Sequence, residues 1–188
     1  DQGWAIDTDD IRRKMNDSVK FIVIVNPNNP TGNVAKPSTI KEVLSIARDW
    51  PNCTVIADEI YDALDFSGDQ RSVASLSDEV PGVTLNGVSK VHFAPGWRIG
   101  YMAFFDPRGT LGAPRDGVER ILRSRLCAST PAQYRDLAGL EHDRLWLKER
   151  LRVIERKVEL CMNRIEGIEG LSCNRPGGAF YLFPKIKN

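Results

Sequence analysis

Apolar positions along the chain recur with two periods, and the switch between them predicts most of the elements. Phe21 to Val25 is an unbroken apolar, largely β-branched run between polar flanks, which predicts a strand buried on both faces. Ile40, Val43, Leu44 and Ala47 follow at helical spacing, and Thr39 with Glu42 has the form of a capping box at the start of that helix. Thr54 to Ala57 is a second strand-like run that ends in Asp58-Glu59-Ile60-Tyr61. Strand, helix, strand predicts a parallel crossover, and ligands in such sheets sit beyond the carboxyl ends of the strands.

The remaining pattern extends this α/β reading. Asp7 to Lys14 predicts a short helix capped by Asp7 or Thr8, and Val83 with Leu85, then Ile99 to Phe105, predict two further strands. Val118, Ile121, Leu122 and Leu126 predict one side of a helix over 118–126. A long helix is expected from Asp143 to Ile165, because Leu147, Leu151, Ile154, Val158, Met162 and Ile165 recur at spacings of four or three. That stripe is core packing. Leu171 to Cys173 and Ala179 to Phe183 predict two short strands around the turn Pro176-Gly177-Gly178. The organisation expected is a mixed, mostly parallel sheet with flanking helices over 1–142, then an interdomain helix and the start of a smaller α/β domain over 143–188.

Charge and cysteine content narrow the function classes. The formal net charge is +1, and Lys148, Arg150, Arg152, Arg156 and Lys157 are interleaved with Glu149, Glu155 and Glu159, so nucleic acid is not an expected partner. The four cysteines (Cys53, Cys127, Cys161, Cys173) include no Cys-x-x-Cys pair, which points away from a metal site or a disulfide framework and toward a reducing, cytoplasmic setting. No apolar run approaches bilayer length and the first residues lack signal-peptide character, so no membrane partner is expected. Because it opens on Asp1-Gln2-Gly3-Trp4 and stops at Ile186-Lys187-Asn188 just after a strand signal, the chain is expected to be a piece of a longer protein.

Candidate chemistry gathers where the strands end. Lys90 follows a strand in Asn86-Gly87-Val88-Ser89-Lys90, and Arg98 closes the glycine-broken loop that leads into the next strand. A lysine amine becomes a nucleophile toward carbonyls when its pKa falls, whereas a guanidinium stays charged and suits phosphate oxygens. Asn29 lies in the loop Asn26-Pro27-Asn28-Asn29-Pro30-Thr31-Gly32 after the first strand, and Asp58 and Tyr61 follow the second. Taken singly, these residues read as a turn, a helix cap, half-buried packing and solvated cations. Their coincidence at neighbouring strand ends favours a site. His92, beside Lys90, is expected to pack in its loop.

The motifs NPNNPTG (Asn26 to Gly32), DEIY (Asp58 to Tyr61) and SK (Ser89-Lys90) followed by GWRIGY (Gly96 to Tyr101) resemble the class I and II aminotransferases of pyridoxal-phosphate fold type I, in both order and spacing. Arg125 to Gln133 and Arg175 to Pro184 look most like the alanine aminotransferase-type branch. The resemblance implies pyridoxal 5′-phosphate as cofactor, with Lys90 holding it as an internal aldimine and then shuttling the substrate's α-proton. It also implies that Asp58 pairs with the pyridinium nitrogen, that Tyr61 and Asn29 donate to the ring oxygen, and that Arg98 clamps the phosphate with Ser89 as helper. It further implies a cis bond between Asn29 and Pro30, and a homodimer in which Ser129-Thr130-Pro131 lies near the partner's cofactor. The implied substrates are a small amino acid, alanine- or glutamate-like, and a 2-oxo acid.

Two departures qualify the resemblance. Gly87 stands where many relatives place a serine or threonine that contacts the phosphate, so one phosphate hydrogen bond is in question. The family's cofactor-stacking aromatic and its substrate-carboxylate arginine belong to segments before and after residues 1–188, so these residues alone are expected to be inactive. A lyase on the same fold, or the aminotransferase-like domain of a transcriptional regulator, stays open beside the transaminase.

Overall fold

The computed structural model of the chain describes residues 3–142 and 145–187. A first helix, α1 (Thr8–Lys14), is capped as the sequence predicts, by the Asp7 carboxylate accepting from the Asp10 amide at 2.8 Å. The central sheet has the strand order β1 (Phe21–Val25), β2 (Thr54–Asp58), β3 (Gly82–Gly87), β4 (Gly100–Phe105). The first three strands run parallel and β4 returns antiparallel on β3. Between β1 and β2 the crossover is α2 (Pro37–Arg48), as expected. Asp58 pairs in register with Val25 on one side and Leu85 on the other, so β1 and β2 finish level and β3 continues two residues further, to Gly87.

One face of this sheet carries the main core. Ile24, Val55 and Ala57 pack against Ile40, Val43, Leu44 and Ala47 of α2, with Ile11 and Met15 at the margin. The opposite face of β1 is open: Phe21 is 59% and Val23 63% exposed. The expectation of a strand buried on both faces is therefore corrected. Among the described residues nothing covers the second face, and β1 is an edge strand with alternating rather than uniform burial. The predicted capping box is corrected as well. Helix α2 begins at Pro37, whose fixed φ and missing N–H suit a first helical position, and no side chain caps it. Thr39 thus lies inside the helix, and the Glu42 carboxylate accepts instead from Arg12 at 2.7 Å.

Beyond β4 the elements differ more from the pattern. Helix α3 (Gly112–Ser124) starts earlier than 118 and ends before Leu126, which adopts a positive φ of 67°. Its expected apolar side faces solvent, with Ile121 and Leu122 both exposed. Helix α4 (Thr130–Glu141) has no counterpart in the apolar pattern, and its Leu137 and Leu140 are exposed too. Helix α5 (Leu145–Glu166) bears out the core stripe by burying Leu147, Val158 and Met162, although its expected start at Asp143 lies outside the described residues.

The last strand pair is not the one expected. β5 (Leu171–Ser172) pairs antiparallel with β6 (Lys185–Ile186), and 179–183 forms no strand. The physical reason is where the backbone donors at the entrance to that segment go. The amides of Gly177 and Gly178 donate to the Gly32 carbonyl at 2.8 and 3.0 Å, and Ala179, with φ 56°, donates to the Leu64 carbonyl at 2.7 Å. Donors committed to loops of the first sheet cannot feed a ladder.

Candidate active site

The neighbouring carboxyl ends of β1, β2 and β3 are locked by main-chain bonds that continue past β1 and β2. The Asn26 amide donates to the Asp58 carbonyl at 3.1 Å, and the Glu59 amide donates to the Leu85 carbonyl at 2.9 Å. Both Asn26-Pro27 and the expected Asn29-Pro30 bond are cis. Asp58, half-buried, accepts from the Ile60 amide at 3.2 Å. The next residue, Glu59, is buried; it accepts from the Val73 amide at 2.7 Å and the Ser72 hydroxyl at 3.1 Å. Burial pushes its carboxyl above the usual carboxylate range, partly offset by these bonds and reinforced by Asp62 and Asp58.

Tyr61 is 2% exposed and forms the floor of the site. Its hydroxyl lies 2.5 Å from that of Tyr181, and its ring meets Tyr181 and Phe180 edge-on at 5.6 and 5.5 Å between centroids. Burial first, then the Tyr181 hydroxyl and the Asp58 charge, push the Tyr61 phenol well above its ordinary range, while Asn29 acts in the opposite sense. At neutral pH Tyr61 is therefore a protonated hydrogen-bond donor.

Lys90 sits in the turn after β3, between the fully buried side chains of Val88 and Val91, which pin the turn from both sides. Its Nζ is 5.9 Å from the ring centroid of Tyr61 and 5.9 Å from that of Phe180. Ser89 beside it is half-buried. Gly87 is required sterically: a Cβ there would stand 2.8 Å from both the Gly100 Cα and the Ile99 carbonyl oxygen. β3 and β4 approach too closely at their Gly87–Gly100 pair for any side chain, which accounts for the missing serine or threonine.

The structure thus brings Asn29, Asp58, Tyr61 and Lys90 around one aromatic floor. Arg98 is placed differently. It is exposed with a φ of 52°, its Nη1 donates to the Pro95 carbonyl of its own loop at 2.8 Å, and it borders an open cavity of about 770 Å³ shared with Arg125, Gln133 and Asp136. His92 packs as expected, its Nε2 3.2 Å from the Gly139 carbonyl and its ring against Trp146. Phe180 and Tyr181 are the site members that sequence reasoning missed. Their only signal is a pair of aromatics straight after a glycine-rich turn, which pattern alone assigns to a strand.

The family model for aminotransferase class I and II matches residues 1–188. The chain belongs to the class I and II aminotransferases. Among curated relatives, it is 36% identical over 190 residues to the glutamate-pyruvate aminotransferase AlaA of Haemophilus influenzae, covering 99% of this chain and 46% of that protein. It is 31% identical to the alanine aminotransferase of Mycobacterium tuberculosis, covering 98% of this chain and 44% of that protein. Among solved structures, the alanine aminotransferase from Pyrococcus furiosus superposes with a TM-score of 0.95 at 43% identity, over 100% of this chain and 47% of that one. The chain spans about half the length of the relatives it matches. The fold is that of the fold type I aminotransferases, a family that works with pyridoxal phosphate.

The donor set suits that cofactor. An amine for its carbonyl, a carboxylate for its ring nitrogen, and a phenol held protonated beside an amide for its ring oxygen all converge at the carboxyl ends of parallel strands. The fit covers the ring side. Arg98, which the resemblance assigns to the phosphate, is bonded to its own loop.

Proposed function

We propose that the intact protein is a pyridoxal-phosphate-dependent aminotransferase that moves an amino group between a small alanine- or glutamate-like amino acid and a 2-oxo acid. The observation that carries this is the placement of Lys90 over the Tyr61 and Phe180 rings, at the end of a strand next to the one that ends in Asp58. Lys90, Asp58, Tyr61, Asn29, Arg98 and Ser89 are the residues that hold the cofactor. When bound, pyridoxal phosphate supplies an electron sink that makes the substrate's Cα proton acidic. Lys90 Nζ is the group that takes up this proton and returns it, and the aromatic walls keep water from competing for it. Asp58 keeps a proton at the ring nitrogen by charge, and Tyr61 donates its single proton to the ring oxygen. Similarity to enzymes named for glutamate-pyruvate and alanine transamination supports the substrate class over a lyase or a regulator.

The test is borohydride reduction of the full-length holoenzyme followed by peptide mapping. The pyridoxyl label is expected on Lys90, and label on another lysine overturns the assignment. The same proposal divides the chain into part of a large cofactor domain over 1–142 and the start of a small domain over 143–188. It places the enzyme in the cytoplasm as a homodimer with Ser129-Thr130-Pro131 near the partner's site. Four free cysteines support the reducing compartment, and among the described residues no helix is long and apolar enough to cross a membrane. Sedimentation of the full-length enzyme tests the dimer; a fully active monomer refutes it. Residues 1–188 expressed alone are expected not to transaminate, since precise positioning of the substrate is worth roughly 7 to 11 kcal/mol in favourable cases. Turnover of alanine with 2-oxoglutarate by that piece at ordinary enzyme rates overturns this expectation.

A further inference from the structure

Tyr61 and Tyr181 are 120 residues apart in sequence, yet their hydroxyl oxygens lie 2.5 Å from each other. Tyr181 is no loosely tethered neighbour. The Phe66 amide donates to the Gly177 carbonyl at 3.0 Å, Gly177 and Gly178 donate to Gly32, and Ala179 donates to Leu64, so this segment is tied to the loop that carries Asn29 and to the turn that carries Tyr61. A Cβ on Gly178 would stand 2.6 Å from the Leu64 carbonyl oxygen, so the approach is close enough to exclude any side chain. Phe180 fills the space between, 4.8 Å from Tyr181 and 5.5 Å from Tyr61 between ring centroids, and faces Lys90 on its other side.

Two phenols at hydrogen-bond distance hold two protons, and only one of these lies between the oxygens. An anionic acceptor placed over Lys90 and Tyr61 outcompetes a neutral hydroxyl for the Tyr61 proton, because hydrogen bonds to charged acceptors are the stronger. The Tyr61 oxygen is then free to accept, and beside Asn29 the Tyr181 hydroxyl is positioned to donate to it. We propose that Tyr181 is a positioning residue: its hydroxyl donates to the Tyr61 oxygen and so directs the Tyr61 proton outward, toward the cofactor's ring oxygen beside Lys90. A phenol that accepts one hydrogen bond becomes a better donor of the next, so the relay also strengthens the bond that Tyr61 makes.

This proposal rests on Lys90 and Tyr61 being the residues at the cofactor, and the experiment separates the two. The visible absorbance of the cofactor bound to full-length enzyme is titrated with pH in the wild type, Tyr61→Phe, Tyr181→Phe and the double variant. A weaker donor leaves more negative charge on the ring oxygen, so the adjoining nitrogen holds its proton more tightly and the midpoint rises. Tyr181→Phe is expected to raise that proton affinity about two- to tenfold, the worth of one hydrogen bond, in the same direction as Tyr61→Phe but by less. The double variant is expected to match Tyr61→Phe alone, since Tyr181 acts only through Tyr61. A Tyr181→Phe midpoint equal to wild type, while Tyr61→Phe moves, overturns the relay even if turnover falls. A midpoint indifferent to Tyr61→Phe, or label absent from Lys90, overturns the site assignment and the relay with it. Should Tyr181→Phe fail to fold, fluorotyrosine at position 181 keeps the shape and strengthens the donor. It is expected to lower the midpoint, and no change overturns the relay.

Discussion

The ends of β1, β2 and β3 and the region from β4 through α4 both carry large apolar side chains, yet they end in opposite states. At the strand ends, Tyr61, Leu64, Val91, Leu147 and Ala179 form a closed cluster, and the backbone of 177–179 is bonded to two different loops. Across β4, α3 and α4, the side chains of Tyr101, Met102, Ile121, Leu122, Tyr134 and Leu137 remain exposed, and Arg98 is turned onto its own loop. The cluster around Tyr61 and Lys90, proposed to hold the cofactor ring, is thus organised by contacts within residues 1–188. Arg98, proposed as the phosphate ligand, stands on a surface that these residues leave uncovered. An uncovered apolar area of this extent marks an interaction surface. In the proposed enzyme the rest of the chain and the partner subunit cover it.

The largest expected effect tests the closed region directly. Lys90→Ala in the full-length enzyme is expected to lower transamination by about 10⁴-fold or more, the upper range for a positioned proton-transfer group. A loss below tenfold in steady-state kinetics removes Lys90 from its role. Next in size is a contrast between the regions. Leu64→Ala, at a fully buried position, is expected to cost about 2 to 5 kcal/mol by urea unfolding. Leu122→Ala in residues 1–188 is expected to stay within about 0.5 kcal/mol, because that side chain is already exposed. In the full-length protein the same Leu122→Ala change is expected to rise toward the Leu64 value, and equal, small losses in both proteins break the comparison.

Gly87→Ser sharpens the contrast at the seam between the regions. The added Cβ meets two backbone atoms at 2.8 Å, so a cost of about 1 to 3 kcal/mol is expected, without the gain in cofactor affinity that a new phosphate ligand would bring. Tighter cofactor binding by Gly87→Ser, measured by absorbance titration, refutes the steric account. The smallest effect concerns Glu59. Its folded-state carboxyl binds its proton more tightly than the ordinary value of 4.5, so the folded state holds more protons than the unfolded one above that pH. Its contribution is fully present below about pH 4.5 and is lost as pH rises through the folded value. Glu59→Gln keeps the acceptor for Val73 and is expected to flatten that fall in Tm while changing stability little at acid pH. An unchanged Tm-against-pH slope counts against it.

How much of this was legible in advance follows from how far apart the partners lie in sequence. The crossover of Phe21–Val25, α2 and Thr54–Asp58 is local and periodic, so pattern predicts it, and Asn29, Asp58, Tyr61 and Lys90 each stand within a few residues of a strand end. Motif spacing and the strand-end rule point to those four, which the structure brings around the Tyr61 ring. Where a local signal competed with another, pattern failed: Thr39 and Glu42 look like a cap, but Pro37 two residues earlier had already set the helix start. The face exposed on β1 was illegible, because an apolar run states that burial is favourable and not whether covering atoms are supplied by the same chain. Ala179 to Phe183 has strand composition, yet its first amide is claimed by the Leu64 carbonyl and the turn before it is tied to Gly32.

Residue types and their short-range order therefore determined the parallel crossover and the family, and singled out the candidate site residues. Only the tertiary structure decided that Tyr181 meets Tyr61, that Phe180 walls Lys90 and that Gly87 has no room for a side chain. Each of these depends on the approach of segments distant in sequence or paired across strands. Such an approach is set by the sum of packing and backbone hydrogen bonding over the whole core, which no window of neighbouring residues encodes.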